Sequence, residues 1–167
     1  MNELDTVLNA VCEAFGENTG LTVLRAHPFG GKHRFSAPLL AVSVRGGEGA
    51  AAGFAEYLGE RYDDGQGCTV ETYGKRLTVT LGADVYAPDT EADGAEACLS
   101  AVSETLHAIS CLPAGIKVRK FTCGETKFDS ETGMYLCPVD IECLCILYAE
   151  SAGGDGLSAF TLKGEIR

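Results

Sequence analysis

Thr69–Pro88, TVETYGKRLTVTLGADVYAP, is the stretch whose reading decides the fold. Leu77, Val79, Leu81, Ala83 and Val85 alternate with Thr78, Thr80, Asp84 and Tyr86. A period of two over that distance lays one face on a core and leaves the other polar. The pattern predicts two strands joined at a bend, Tyr73-Gly74-Lys75, with the second strand long. Pro88 ends it, because proline lacks the N–H that a ladder needs.

Outward from the ribbon, the next segment has helical spacing. Ala95, Cys98, Val102, Leu106 and Ile109 recur on one face of a helix expected over 91–110. Thr90 suits its N-cap, and its acidic first turn and His107 near its end suit the helix dipole. Upstream, Leu4, Val7, Leu8, Val11 and Phe15 form a second amphipathic stripe, with Asn2 as a cap and Gly16, Asn18 and Gly20 as the stop. Short strands are expected at Leu21–Ala26 and Leu39–Arg45, with a glycine-tipped loop, HPFGGKHRFS, between them. Residues 46–67, GGEGAAAGFAEYLGERYDDGQG, are expected as a long flexible loop holding one or two helical turns around Phe54, Tyr57 and Leu58.

Downstream, strands are expected at Ile116–Cys123, Met134–Tyr148 and Ala159–Ile166. In the long one, Cys137, Val139, Ile141, Cys143, Cys145 and Leu147 share one face. The other face starts polar at Asp140 and Glu142 and turns apolar at Leu144, Ile146 and Tyr148. A strand apolar on both faces is covered on both, by the chain itself or by a neighbour. Two amphipathic helices and these strands make an α+β fold: two helices packed on one face of a β-sheet, mostly antiparallel or mixed, with long loops. At 167 residues, 46% apolar and 22% charged, the chain is expected to form a single domain, 1–167.

A net charge of −11 disfavours nucleic acid and anionic membrane as partners. The charge is uneven. Residues 21–47 contain Arg25, Lys32, Arg34 and Arg45 and no acid, whereas 77–116 contain Asp84, Asp89, Glu91, Asp93, Glu96 and Glu104 and no Lys or Arg. Surface solvation accounts for this; so do two opposite patches meeting across a subunit contact. The acidic, helix-patterned first fifteen residues do not read as a signal peptide, and no apolar stretch has transmembrane length. The eight cysteines are therefore expected reduced, as small buried hydrophobes.

Sites of chemistry are sparse. No Cys-x-x-Cys or Gly-x-Ser-x-Gly occurs, and His27, His33 and His107 are scattered. The 46–53 glycine run lacks the Lys-Ser/Thr of a phosphate loop. Asp63, Asp64, Asp129 and Glu131 fall where turns want acids for local reasons. No catalytic residue, cofactor or metal site is expected.

The ordered segments PLLAVSVRGGE (38–48), GFAEYLGERY (53–62), TVETYGKRLTVTLGADVYAP (69–88), GAEAC (94–98), Cys123-Gly124-Glu125-Thr126-x-Phe128-Asp129 and GMYLCPVDIEC (133–143) together resemble small tail proteins encoded by prophages of clostridia and related Gram-positive bacteria. Among these the chain is similar to the tail terminator, or tail-completion, family, over about residues 20–165. The resemblance implies a structural protein, not an enzyme: a ring, usually a hexamer, on the head-proximal end of a tail tube, which stops tube polymerisation and joins the neck. The partners implied are further copies of itself, the tube, and sheath or neck proteins. The location implied is the bacterial host cytoplasm during assembly and the virion tail afterwards. The family has no diagnostic residue motif to transfer, so interface candidates come from patterning. They are the basic Arg25, Lys32, Arg34 and Arg45; Tyr73 and Lys75 at the ribbon's bend; the acidic Asp84 and Glu91; and the apolar Leu144, Ile146 and Tyr148. The alternatives are another small tail or head–tail connector protein, or a small-molecule-binding or enzymatic α+β domain using the 27–34 loop, with His27 and Arg34 converging.

Overall fold

The computed structural model describes residues 3–25, 35–90, 93–113, 115–152 and 160–161. In chain order they form α1 (Glu3–Asn18), β1 (Thr22–Arg25), β2 (Leu39–Ala51), a 3-10 turn (Phe54–Glu56), β3 (Tyr57–Asp63), β4 (Cys68–Pro88), α2 (Gly94–Ile109), β5 (Ile116–Cys123), β6 (Lys127–Asp129), β7 (Met134–Cys137), β8 (Val139–Ala152) and β9 (Phe160–Thr161). The fold is α+β, with one mixed, mostly antiparallel sheet; its parallel pair is β1 with β2.

The sheet is built on β4, which is one continuous strand of 21 residues and not two strands around a bend. At about 3.2 Å per residue it runs for roughly 65 Å. Gly74 is extended and paired opposite Tyr148. A Cβ there would collide with the side chain of Leu58, so this glycine serves close packing and turns nothing. Along one edge β4 pairs first with β3 and then with β2, and along the other with β8 and then β7. β5 lies outside β8.

The expected loop over 46–67 is also corrected. β2 continues past Arg45 to Ala51, with a bulge between Val44 and Gly46, and β3 resumes on the same edge of β4. Between Ala51 and Tyr57, residues 52–56 leave the ladder as a blister opposite Gly74. Its single 3-10 turn is what remains of the helical spacing. β2, β3 and β4 are thus the limbs of one long hairpin whose tip is the turn after Asp63.

Side chains of β4 alternate as expected. Val79, Leu81, Ala83, Val85 and Ala87 are fully buried beneath the helices, against Val7, Val11 and Phe15 of α1 and Cys98, Val102 and Ile109 of α2. The α2 face differs in detail from the sequence reading: Ala95 is exposed, Leu106 is half-buried, and Ala101, Thr105 and Ala108 take the interior. Thr105 is tolerated there because its hydroxyl donates to the Ala101 carbonyl at 2.9 Å. Asp93, not Thr90, holds the N-cap position of α2, without a side-chain capping bond. Asn2 lies outside the described residues; at the other end of α1, the side chains of Asn18 and Thr19 donate to the carbonyls of Ala14 and Phe15, and the Thr19 backbone N–H also donates to Phe15 at 2.9 Å.

The strand expected at Met134–Tyr148 is divided by Pro138, which cannot donate to the ladder, into β7 and β8. Its core face is as read: Cys137, Val139, Ile141, Cys143, Cys145 and Leu147 are all buried. Of the last expected strand, only Phe160–Thr161 falls within the described residues.

Candidate interaction face

The helices cover one face of the sheet. On the other face, Leu39, Ala41, Tyr86 and Met134 form a small second core at the end of β4 near Pro88. The rest of that face is open among the described residues, and its centre is charged. The bulge at Val44/Gly46 turns Arg45 across the sheet over Gly82, where any Cβ would strike the guanidinium. From there Arg45 donates to both Asp84 and Asp140. Partial burial penalises the charged guanidinium, but the hydrogen bonds to Asp84 and Asp140 outweigh it and hold its pKa above the ordinary value. Beside this triad, a hollow of about 450 Å³ is lined by Arg45, Thr80, Lys120, Thr122, Asp140 and Glu142. A second, of about 280 Å³, has Leu144 beside Arg76, Arg119 and Glu48. Ile146 and Tyr148 follow Leu144 along β8 on the same face, all three half-buried.

The structure therefore gathers Arg45, Asp84, Leu144, Ile146 and Tyr148 on one surface. It also corrects one idea about them: Arg45 and Asp84, candidates for opposite sides of a subunit contact, meet within a single chain. Arg25 is likewise engaged by Asp5 of α1, at 3.1 Å. By alternation Tyr73 and Lys75 belong to the opposite face of β4. Tyr73 donates to Glu71 at 2.7 Å, which raises its phenol pKa, and stacks edge-on against Tyr57; Lys75 pairs with Glu56 at 3.6 Å. Lys32, Arg34 and Glu91 lie outside the described residues, as does the 27–34 loop on which the small-molecule alternative rests.

Two groups were missed from sequence. Lys117, Arg119 and Lys120 form an exposed cationic strip on β5. The bulge between Val118 and Lys120 keeps Lys117 and Lys120 on the open face, paired in register with Leu144 and Glu142. The run Lys-Val-Arg-Lys is visible in the sequence, just past the acidic segment, but strand alternation alone does not predict that a bulge aligns its charges. The other is Phe54, 95% exposed at the apex of the blister, hidden in a segment read as loop.

Of the eight cysteines expected as buried hydrophobes, Cys98, Cys137, Cys143 and Cys145 are buried, whereas Cys12 and Cys68 are half-buried and Cys111 and Cys123 are exposed. Burial pushes the Cys143 thiol up to about 12 and those of Cys98 and Cys145 up to about 11. Among the described residues no three His, Cys, Asp or Glu side chains gather as a metal site would need, and no helix is long and apolar enough to cross a membrane. Asp63 and Asp129 accept backbone N–H groups of their own turns, the local role expected of them. No protein-family model matches this chain, and no curated protein sequence matches it.

Proposed function

We propose that this chain is a structural assembly protein that works as a ring of identical copies, a hexamer, capping the head-proximal end of a phage tail tube. The ring ends tube polymerisation and joins the neck; assembly takes place in the bacterial host cytoplasm, and the virion tail is the final location. The resemblance of the ordered sequence segments to tail terminators supplies the identity of the partner.

One structural observation supports an assembly role: a sheet built on a 21-residue strand carries helices on one face only. Its other face presents Leu144, Ile146 and Tyr148 beside a charged network, the mixture of apolar anchor and polar rim that protein contacts use. Light scattering across concentration, combined with electron microscopy of the cognate tube protein grown with and without this chain, tests the reading. The expected result is a closed ring and tubes that stop growing. A chain that stays monomeric at every concentration and leaves tube growth unchanged rejects it.

A further inference from the structure

The two lateral edges of the sheet differ in a way that bears on how copies would join. On one edge the blister between β2 and β3 projects Phe54 almost wholly into solvent. The blister is held in a costly conformation. Ala55 and Glu56 both have positive φ, 50° and 69°, and a Cβ at Gly53 would collide with the Tyr57 carbonyl oxygen. Left-handed non-glycine residues cost about 1 kcal/mol or more each. An aromatic ring placed in water on a strained turn adds nothing to this chain's own core. Next to it β3 carries exposed Glu60 and Arg61, the latter already paired with Asp63 and Glu150 at 3.5 and 3.4 Å, and Asp64 follows in the turn, so the edge is net acidic. On the far edge, across β4 and β8, β5 carries Lys117, Arg119 and Lys120, with no acid between Ile116 and Cys123. Lys117 and Lys120 have no ion-pair partner among the described residues, and Arg119 reaches Glu142 only at 3.9 Å. The outer backbone groups of β3 and β5 pair with no other strand among the described residues.

One edge is thus acidic with a protruding aromatic, and the opposite edge is basic. We propose that the occupant of each edge is a second copy of this chain: the blister edge of one protomer docks on the β5 edge of the next. The contact is heterologous, because one patch meets a different patch, and such contacts propagate around a ring. The acids meet the cations of β5, and the Phe54 ring lies against their guanidinium and ammonium groups, where cation–π attraction adds to burial. This inference rests on the self-assembly reading above and assigns the surfaces that reading leaves open.

The experiment is a charge swap in the full-length chain, followed by light scattering and sedimentation, with thermal unfolding as the control for folding. Glu60→Lys/Asp64→Lys and Lys117→Glu/Lys120→Glu are each expected to weaken association by roughly tenfold or more while the chain still unfolds cooperatively. Carrying both reversals in one chain restores association. Phe54→Ala, which removes a side chain the fold does not bury, weakens association by a similar factor. A wild-type chain that assembles while any of these variants assembles equally well overturns the edge assignment and leaves the ring standing. Losses that the combined reversal does not recover overturn it too. A wild-type chain that never self-associates overturns the ring and, with it, this contact.

Discussion

The two halves of β4 show what one strand can be asked to do. From Leu77 to Ala87 it lies beneath both helices, and its inward side chains belong to the main core. From Cys68 to Arg76 it runs on between β8 on one edge and β3 and the end of β2 on the other, where Val70, Leu147 and Ala149 are buried outside that core. The half under the helices is held by packing. The far half is held by backbone ladders on both edges and by pairs such as Tyr57–Tyr73 and Lys75–Glu56. Hydrophobic burial anchors one end, and hydrogen bonding carries the strand beyond it.

The sharpest break in this comparison comes from truncating one side chain beneath the helices and one on β8 beside the far half. Leu81→Ala, at a site with no exposure, is expected to cost about 2–5 kcal/mol in denaturant unfolding. Ile146→Ala, on the half-buried open face, should cost less than about 1.5 kcal/mol. Equal losses would mean that the open face is as much a core as the covered one.

A pH titration separates the halves by chemistry. Cys98, Cys143 and Cys145 have folded pKa values raised to about 11, 12 and 11 from an ordinary 9.0. Between those limits the folded state holds protons that the unfolded state releases. Their contribution is therefore complete below about pH 9 and is lost as pH rises through the folded values. Unfolding midpoints followed from pH 8 to 12 should fall above 9, and replacing Cys143 with Ala should flatten the fall.

The smallest effect is electrostatic. Asp84→Lys sets a second cation beside Arg45 and should cost roughly 1 kcal/mol of stability in the isolated chain, read by thermal unfolding. Because Asp84 is engaged within its own chain, a variant that weakens oligomers with no loss of monomer stability would return it to a subunit contact.

How much of this was legible follows from the same division. Where packing dominates, side chains report it: the alternation from Leu77 to Val85, the stripe on α1 and the cysteine face of β8 all read directly as structure. The far half left weaker traces. Gly46, Gly47, Gly49, Ala50 and Ala51 have no preference for strand, so the second half of β2 looks like a loop and is made a strand by pairing with β4. Gly74 marked a bend on propensity, yet what it answers to is Leu58, a neighbour from another strand. The candidate face was legible as residue types at Leu144, Ile146 and Tyr148. It was not legible as a triad, because Arg45, Asp84 and Asp140 are far apart in the chain and a bulge brings them together.

The continuity of β4 has a mechanical consequence. A bend at Gly74 would have let the outer hairpin swing as a separate limb. Without one, the turn at its tip and the core under the helices share a single backbone, tied on both flanks for most of its length. A load applied at the tip then arrives in the core as torsion of that strand, and the sheet acts as a lever with its fulcrum beneath the two helices.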